Sequence, residues 1–332
     1  MSDQPIFDAH SDLPFQVVRE REAGRRSVVE TDFLPGMRTG GIDVRVVAVY
    51  VDDTYLPEMA LHRGLAIVSE LRDDISESNG VELATTTDEI AGAVGNDSVT
   101  LVLGMEGAEP LMGDPRMLDA FYRSGLRLLT LTHSRRNAVG DGVPLSGSLR
   151  GTPGGLSEEG FDILERATEL GIVVDLSHLN GPGVDDAIQA VDQPVVASHS
   201  NCRNLYDHPR NLSDEQIRAI AGTDGVVCLT AVGSFLGTSP DVETLCDHVE
   251  HAVEVAGIEH VGLGFDFFEY TIEYLSETEQ ERLADISTVE GLETDEAVAS
   301  VPTALLERGF SENELSAVCH GNLQRVFDRV LD

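Results

Sequence analysis

The sequence contains no lysine. All 22 basic residues of the 332-residue chain are arginines, and 59 aspartates and glutamates bring the formal net charge to −37. A lysine Schiff base, a phosphate-loop lysine and a metal-bridging carbamylated lysine are therefore excluded, because each needs a side chain that is missing. Nucleic acids and anionic membranes are not expected as partners, since the acidic surface would repel them.

Cysteines are few, and long apolar runs are absent. The four cysteines are too scattered for a disulfide framework or a paired-cysteine zinc motif, and we interpret them as reduced core residues. No apolar run reaches the roughly 18 residues that span a bilayer. The N-terminal MSDQPIF lacks the basic and apolar regions of a signal peptide. These features predict a soluble, cytoplasmic protein.

The acidic charge is spread along the chain. Together with 41% hydrophobic residues, this distribution distinguishes the protein from an acidic disordered tail. Ordinary solubility and an acidic face for a basic partner are two explanations, but neither commonly removes lysine from a whole chain. In molar salt the Debye length is only about 3 Å, and self-repulsion is screened. The composition therefore favours a halophilic protein whose folding and activity need high salt.

Short β-branched runs alternate with helical patterns. Eight runs are typical of buried parallel strands: Ile6–Ala9, Val44–Val51, Thr100–Met105, Leu126–Leu131, Ile172–Leu176, Pro194–Ala197, Val226–Leu229 and His260–Gly264. Helices are predicted between them, including Leu61–Ser78, Ser157–Leu170 and one that begins with a capping box from Ser213 to Gln216. This order predicts an α/β protein, a single (β/α)8 TIM barrel domain over residues 1–332 with C-terminal helices packed on the barrel.

Ionisable side chains follow six of the eight predicted strands. They are His10 and Asp12, Glu106, His133, His178, His199 and Asp266. Because the carboxyl ends of all barrel strands open onto one face, we expect these side chains to share the rim where catalytic sites of such folds lie. One histidine after a strand is usually structural, but the coincidence over six strands favours a functional site.

The residue types predict a two-metal hydrolase site. His10 and Asp12 stand two residues apart, so the strand period directs both to the same side. His178 and His199 end adjacent strands and are candidates for a second metal, with Glu106 as the candidate bridge. Three histidines and two carboxylates favour Zn²⁺ or a similar metal over Mg²⁺ or Ca²⁺. Two metals about 3.5–4 Å apart share a water, lower its pKa and polarise a carbonyl.

Three further residues are candidates for substrate chemistry. Asp266 is placed to take a proton from the attacking water and pass it to a leaving amine, with a helix cap or a further metal ligand as its alternative roles. His133 is a candidate donor to an oxyanion. Arg210 offers two parallel donors to a substrate carboxylate, and its alternative role is a structural salt bridge. His208 is interpreted as structural, and His62, His248, His251 and His260 as surface or capping residues.

Several long blocks of sequence occur in order between residues 8 and 327. They read DAHSDLP, GMEGAEPL, LTLTHSRRNAVGDG, PGGLSEEG, GIVVDLSH, PVVASHSNCRNLYDHPRNLSDEQI, HVGLGFDF and GNLQRVF. Together they resemble the renal, or membrane, dipeptidase family (peptidase family M19), zinc peptidases within the amidohydrolase-like barrels. The resemblance covers nearly the whole chain, and the length and order of the blocks make it specific.

The resemblance implies a binuclear zinc dipeptidase with two zinc ions per chain. In such enzymes the residues matching His10 and Asp12 bind one zinc, those matching His178 and His199 bind the other, and the residue matching Glu106 bridges them. A metal-bridging hydroxide attacks the peptide carbonyl.

The resemblance also implies roles for the other candidates. The residue matching His133 contacts the scissile carbonyl, the one matching Arg210 holds the substrate carboxylate, and the one matching Asp266 transfers the proton. Several members accept a D residue at the C-terminal position, and some open β-lactams. Dimers are common in the family, and the sequence marks no interface, so a homodimer stays open.

The sequence departs from the family pattern at two places. Ser11 stands where the family often has asparagine, and DFFEY, from Asp266 to Tyr270, replaces a DFDG stretch. The second change is expected to reshape the pocket and move the substrate preference. Alternative substrates are a D-amino-acid dipeptide, an N-acyl amino acid or a lactam. A metal-binding scaffold that has lost catalysis is the alternative from another class.

Overall fold

A computed structural model describes residues 4–145, 152–284 and 286–331. Residues 1–3, which begin the segment inspected for a signal peptide, lie outside these ranges. Within them, nine strands form one sheet. The strands are β1 (Ile6–Asp8), β2 (Ile42–Tyr50), β3 (Val81–Ala84), β4 (Val99–Glu106), β5 (Leu126–Thr130), β6 (Val173–Asp175), β7 (Val195–Ala197), β8 (Val226–Leu229) and β9 (Val261–Leu263).

The sheet closes on itself. β1 pairs with both β2 and β9, and β2 pairs with β4, so eight strands form a closed ring whose pairings are all parallel. These eight strands correspond to the eight predicted runs. The prediction of a (β/α)8 TIM barrel is confirmed.

The ninth strand, β3, is missing from the predicted set. It pairs with β4 from Val99 to Val102, whereas β5 pairs with β4 from Leu103 onwards. β3 therefore extends the wall of the barrel at the beginning of β4. Its four residues, VELA, are too few for an alternating pattern to be distinguished from a loop.

Thirteen α-helices lie within the described ranges. They are α1 (Leu13–Glu22), α2 (Leu34–Gly40), α3 (Ala60–Glu77), α4 (Thr87–Ala91), α5 (Pro115–Arg123), α6 (Glu158–Glu169), α7 (Gly181–Ala190), α8 (Asp214–Gly222), α9 (Val242–Ala256), α10 (Glu277–Leu283), α11 (Ser300–Glu307), α12 (Glu312–Ser316) and α13 (Asn322–Leu331). The predicted helices match α3 and α6 closely. The predicted capping box forms at the start of α8, where Ser213 and Gln216 bond to each other's backbone N–H groups.

The C-terminal helix α13 closes one end of the barrel. Phe327 stacks on Phe7 of β1 with ring centroids 5.3 Å apart, and both side chains are buried. Asn322 donates through Nδ2 to the backbone oxygen of Val261, the first residue of β9. α13 therefore covers the amino ends of the strands and leaves the carboxyl ends open for a site.

Two further features bear on the sequence predictions. All four cysteines are buried, and none of them is in a disulfide. Across the described residues, the helices are too short or too polar to cross a bilayer.

Candidate active site

The predicted site residues meet at the carboxyl ends of the barrel strands. Glu106 is the last residue of β4, and the other six follow β1, β5, β6, β7 and β9 within a few residues: His10, Asp12, His133, His178, His199 and Asp266. Glu106 lies at their centre. Its Oε1 atom is 3.0 Å from Nε2 of His178, 3.5 Å from Nε2 of His199 and 3.7 Å from Nε2 of His10.

A second group surrounds His10. Its Nε2 atom lies 3.6 Å from a carboxylate oxygen of Asp12 and 3.6 Å from one of Asp266. His133 approaches from the other side, with Nε2 4.0 Å from Glu106. Three sets of side chains have ligand atoms within 4.8 Å of one another: His10 with Glu106 and His199, Glu106 with His133 and His178, and His10 with Asp12 and Asp266. His133 and Asp266 thus also lie close enough to the other candidate ligands to share a metal ion with them.

Buried atoms in this cluster lack hydrogen-bond partners. Among the described residues, Nε2 of His10, Oδ1 of Asp12 and Nε2 of His199 are buried without one. Such atoms are rare in folded proteins and call for an explanation. Imidazole nitrogens and carboxylate oxygens converging on one place are the donor set of a borderline divalent metal such as zinc. The residues present therefore fit a metal site.

Burial sets the protonation of the cluster. It raises the pKa of Glu106 and raises the pKa of Asp266 to about 7. Burial also lowers the pKa values of His133, His178 and His199 well below the ordinary range, so these imidazoles are neutral and keep a lone pair for a ligand.

His10 responds differently from the other imidazoles. Burial lowers its pKa, but the neighbouring carboxylates of Glu106, Asp12 and Asp266 outweigh burial and raise it to about 10. The carboxylates thus recruit a proton to the centre of the cluster. A divalent cation would supply the same compensation with more charge, and would bring the carboxylate pKa values down again.

Asp175, the last residue of β6, holds the loops that follow β6 and β7. Its Oδ1 atom accepts hydrogen bonds from the backbone N–H groups of Ser177 at 3.0 Å and Ser198 at 2.8 Å. Its Oδ2 atom accepts from the hydroxyls of Thr130 and Ser198, both at 2.6 Å. Four donors from three strand ends therefore converge on one fully buried carboxylate.

Ser198 connects this carboxylate to His199. A serine hydroxyl has one proton, and the short contact to Asp175 takes it. The Ser198 oxygen must then accept from Nδ1 of His199, which lies 2.7 Å away. Nε2 of His199 is left with its lone pair facing Glu106. Outer contacts of this kind orient metal-binding histidines in proteins.

Asp8, the last residue of β1, has a similar role. Its Oδ1 atom accepts from the backbone N–H groups of His10 at 3.3 Å and Phe265 at 2.9 Å, and its Oδ2 atom accepts from Nε of Arg45 at 2.8 Å. Asp8 thus ties the loop of His10 to the loop of Asp266. Sequence reasoning missed Asp8 and Asp175. The available signal was a carboxylate two or three residues before a histidine at a strand end.

Two site residues have unusual backbone conformations. His178 has φ 66° and Asp266 has φ 60°, in the left-handed region that non-glycine residues seldom occupy. Such strain persists only where the surroundings enforce it, and it is concentrated at functional sites.

A cavity of about 510 Å³ opens above the cluster. Tyr50, Asp53, Arg135 and Glu279 line it, and sequence reasoning missed all four. Arg135 is tightly held, since its guanidinium donates to Glu109 at 2.8 Å, Tyr50 at 3.1 Å and Asp53 at 3.2 Å. Tyr50 ends β2, Asp53 follows it and Glu279 lies in α10, all outside the quoted sequence blocks. Arg135 lies within the block LTLTHSRRNAVGDG, but nothing in that block distinguishes it from a surface arginine.

Arg210 lies in the loop between β7 and α8, outside the lining of this cavity. Its side chain is 4% exposed, one guanidinium nitrogen donates to the backbone oxygen of His199 at 3.1 Å, and Nε has no partner among the described residues. Burial lowers its pKa to about 10. No carboxylate in the described part of the chain lies within 4.0 Å of it, so the structure offers no salt bridge to explain it. With His178 it lines a smaller cavity of about 20 Å³.

The two departures from the family pattern meet in space. The Ser11 hydroxyl lies 3.3 Å from the hydroxyl of Tyr270. Phe268, also within DFFEY, lines the main cavity.

A histidine outside the cluster corrects one interpretation. His248 was expected at the surface or at a helix end, but it is 1% exposed within α9. Its Nδ1 atom accepts a hydrogen bond from the backbone N–H of Cys202 at 3.0 Å. The surface interpretation is wrong. A histidine is usually read as a polar surface residue, but this one is a neutral, hydrogen-bonded residue of the core.

A parallel eight-stranded barrel with a histidine and carboxylate cluster at its carboxyl rim defines a metal-dependent hydrolase of the barrel class. The model of the membrane dipeptidase family, peptidase family M19, matches residues 1–332. The chain belongs to this family of metallo-dipeptidases.

Individual relatives agree with the family. Dipeptidase verJ of Clonostachys rogersoniana is 27% identical, over 99% of this chain and 85% of its own length. The crystal structure of dipeptidase AC, a metallopeptidase of family M19, has a TM-score of 0.87 and 27% identity over 99% of both chains. A metallopeptidase from Rhodobacter sphaeroides, solved with a phosphinate mimic of the dipeptide L-Ala-D-Ala, has a TM-score of 0.85 and 26% identity over 98% of this chain and 99% of its own.

Proposed function

We propose that the chain hydrolyses dipeptides with two zinc ions held at the barrel rim. His10 and Asp12 would hold one ion, His178 and His199 the other, and Glu106 would bridge the two. The convergence on Glu106 carries the proposal, because one carboxylate oxygen lies within 3.7 Å of three imidazole nitrogens, two of them without hydrogen-bond partners. Membership of the dipeptidase family supports a dipeptide as the substrate.

The remaining site residues fit the steps of amide hydrolysis. Zinc held by these residues would supply a water of lowered pKa and would polarise the scissile carbonyl. Asp266, which lines the cavity, would accept a proton at its carboxylate from the attacking water and pass it to the leaving amino group. His133 is neutral, and the Ser134 hydroxyl lies 3.0 Å from its Nδ1 atom. If serine donates there, the Nε2–H of His133 is free to donate to the developing oxyanion.

Arg210 is proposed to hold the free carboxylate of the substrate. Within the described ranges its buried guanidinium has no carboxylate within 4.0 Å, and an unpaired buried charge is costly. A substrate carboxylate would supply the missing partner through charge-assisted hydrogen bonds. A substrate without a free carboxylate gains nothing from this residue.

A panel of dipeptides tests the proposal. L,L and L,D dipeptides, an N-acyl amino acid and a lactam are assayed in molar KCl with zinc, and bound zinc is counted by mass spectrometry. The L,D series is included because the Rhodobacter relative was solved with an L-Ala-D-Ala mimic. We expect dipeptide cleavage with two zinc ions per chain, and loss of cleavage after chelation. Two bound zinc ions without cleavage of any substrate would favour a metal-binding scaffold that has lost catalysis. Cleavage of the N-acyl amino acid or the lactam, but of no dipeptide, would favour those amides as the substrates.

A further inference from the structure

The cavity has an apolar side that the proposed chemistry does not use. Val232, Phe235 and Phe268 pack together as a hydrophobic cluster, with Leu145 and Ile286 against them. All five residues line the cavity that also contains Glu106 and Asp266. We call these five residues the apolar wall.

The apolar wall is built from the same rim as the metal-site candidates. Leu145 comes from the loop after β5, Val232 and Phe235 from the loop after β8, and Phe268 from the loop after β9. Val232 forms an isolated antiparallel bridge with Thr288. This bridge anchors the segment that follows Ile286 beside the loop after β8.

The wall is in contact with the proposed carboxylate anchor. The guanidinium carbon of Arg210 lies 5.5 Å from the centre of the Phe235 ring. The C-terminal residue of a dipeptide carries the free carboxylate and its side chain on the same α-carbon. If Arg210 holds the carboxylate, that side chain therefore lies beside Phe235. Elsewhere the lining is mixed, with the polar side chains of Tyr50, Asp53, Arg135 and Glu279 beside the apolar ones of Phe15, Leu275 and Leu283.

We infer that the apolar wall binds the side chain of the C-terminal residue and selects large apolar side chains such as leucine or phenylalanine. The inference rests on the proposed function and narrows its substrate class. Apolar surface removed from water favours binding in proportion to its area, so glycine gains little from the wall. An aspartate side chain would lose hydration against the wall, and the one cation beside the wall, Arg210, is the proposed partner of the terminal carboxylate, so aspartate should bind worst.

The substrates themselves give the first test. The zinc-loaded full-length protein is assayed in molar KCl with Ala-Phe, Ala-Leu, Ala-Gly, Ala-Asp and the reversed Phe-Ala. We expect kcat/KM for Ala-Phe and Ala-Leu to exceed that for Ala-Gly by about tenfold or more, with Ala-Asp lowest. Phe-Ala should lack this advantage, because its large side chain is on the other residue.

A variant of the wall gives the second test. Phe268→Ala should lower the ratio of kcat/KM for Ala-Phe over Ala-Gly by about tenfold, since it removes apolar area from the wall. Phe161→Ala is the matched control, because Phe161 lies on α6 with 41% exposure and outside the cavity lining. It should leave the ratio unchanged. If Phe268→Ala fails to fold, Val232→Ala replaces it.

The outcomes separate this inference from the proposed function. Equal kcat/KM for Ala-Phe and Ala-Gly, a preference that follows the N-terminal residue, or a ratio unaffected by the wall variants would each overturn the inference and leave the dipeptidase intact. Absence of cleavage for every dipeptide with two zinc ions bound would overturn the proposed function, and the inference with it.

Discussion

Asp266 combines a left-handed backbone with a partly buried carboxylate. Its side chain lines the cavity beside His10, and it is the proposed proton-transfer group. Asp266→Asn keeps the shape and removes the proton acceptor, so we expect kcat to fall by about 10²- to 10⁴-fold. Metal analysis of the same variant should still find two zinc ions per chain. Full activity would mean that the proton takes another route, and loss of a zinc ion would make Asp266 a ligand.

Ser198 is expected to act on the metal through His199. Ser198→Ala removes the acceptor for Nδ1 of His199, so the ring loses the contact that fixes its orientation and tautomer. Zinc affinity should fall by about 10- to 100-fold, measured by competition with a chromogenic chelator.

Two variants make the Ser198 test specific. Ser198→Thr keeps the hydroxyl and should restore zinc affinity. Ser200→Ala is the matched control, because the Ser200 hydroxyl is 3.4 Å from that of Ser177 and has no hydrogen bond to a candidate ligand ring. An unchanged zinc affinity in Ser198→Ala would argue against the link.

His248 makes stability depend on pH. Burial lowers its pKa to about 4, below the ordinary value near 6.5. As the pH falls from about 6.5 to 4, His248 binds a proton in the unfolded chain but not in the folded chain. The stability that it contributes is therefore lost in that window and is fully present above it. Between pH 7.5 and 5 the loss from this residue should be about 2 kcal/mol.

The variant His248→Asn tests this contribution. Asparagine is able to accept from the backbone N–H of Cys202 but does not titrate. Urea unfolding at both pH values, in molar KCl, should show a smaller loss in the variant than in the parent, whatever its absolute stability. The same loss in both proteins would assign the pH dependence to other groups.

At the scale of elements, the eight barrel strands could be predicted because buried parallel strands are near-continuous apolar runs. Their ends differ from the predicted ones by no more than two residues, and β8 matches fully as Val226–Leu229. β3 could not be predicted from the sequence, because it is a strand through its pairing with β4 and not through its own four-residue pattern. The position of α13 across the amino ends of the strands could not be predicted either, since the pattern of an amphipathic helix does not indicate which surface the helix covers.

α13 is expected to contribute strongly to stability. Phe327 is fully buried against Phe7 at the closed end of the barrel, so Phe327→Ala leaves a cavity. The free energy of unfolding should fall by about 3–5 kcal/mol in urea titrations. The exposed Phe161→Ala should change it by no more than about 0.5 kcal/mol. If Phe327→Ala lowered the free energy of unfolding by no more than Phe161→Ala is expected to, the packing of α13 would not contribute to the stability of the barrel.

For the whole molecule, charge is the dominant feature. Arginines are shared among several carboxylates, and Arg308 contacts Glu243, Asp247 and Glu250. Such sharing does not neutralise the molecule, because 59 acidic residues face 22 arginines and the net charge stays at −37. We propose that residues 1–332 form one domain, since the first and last strands pair and α13 closes the barrel.

Salt should stabilise this molecule. Screening of its self-repulsion should raise the melting temperature in molar KCl above that in dilute buffer, with a single unfolding transition by calorimetry. Sucrose at matched osmolality is the control, because it stabilises by exclusion from the protein surface without screening charge. Equal melting temperatures in dilute buffer and KCl would contradict the halophilic hypothesis, and two transitions would contradict a single domain.

The sequence by itself determined the barrel and the residue types at its rim, because both depend on local patterns: apolar runs that bury a strand, and the residues directly after each run. The tertiary structure decided what those residues face. The convergence on Glu106, the proton arrangement set by Asp175 and Ser198, the unpaired Arg210 and the apolar wall all join residues from different loops. Their chemistry depends on distances and burial, and no local pattern contains either.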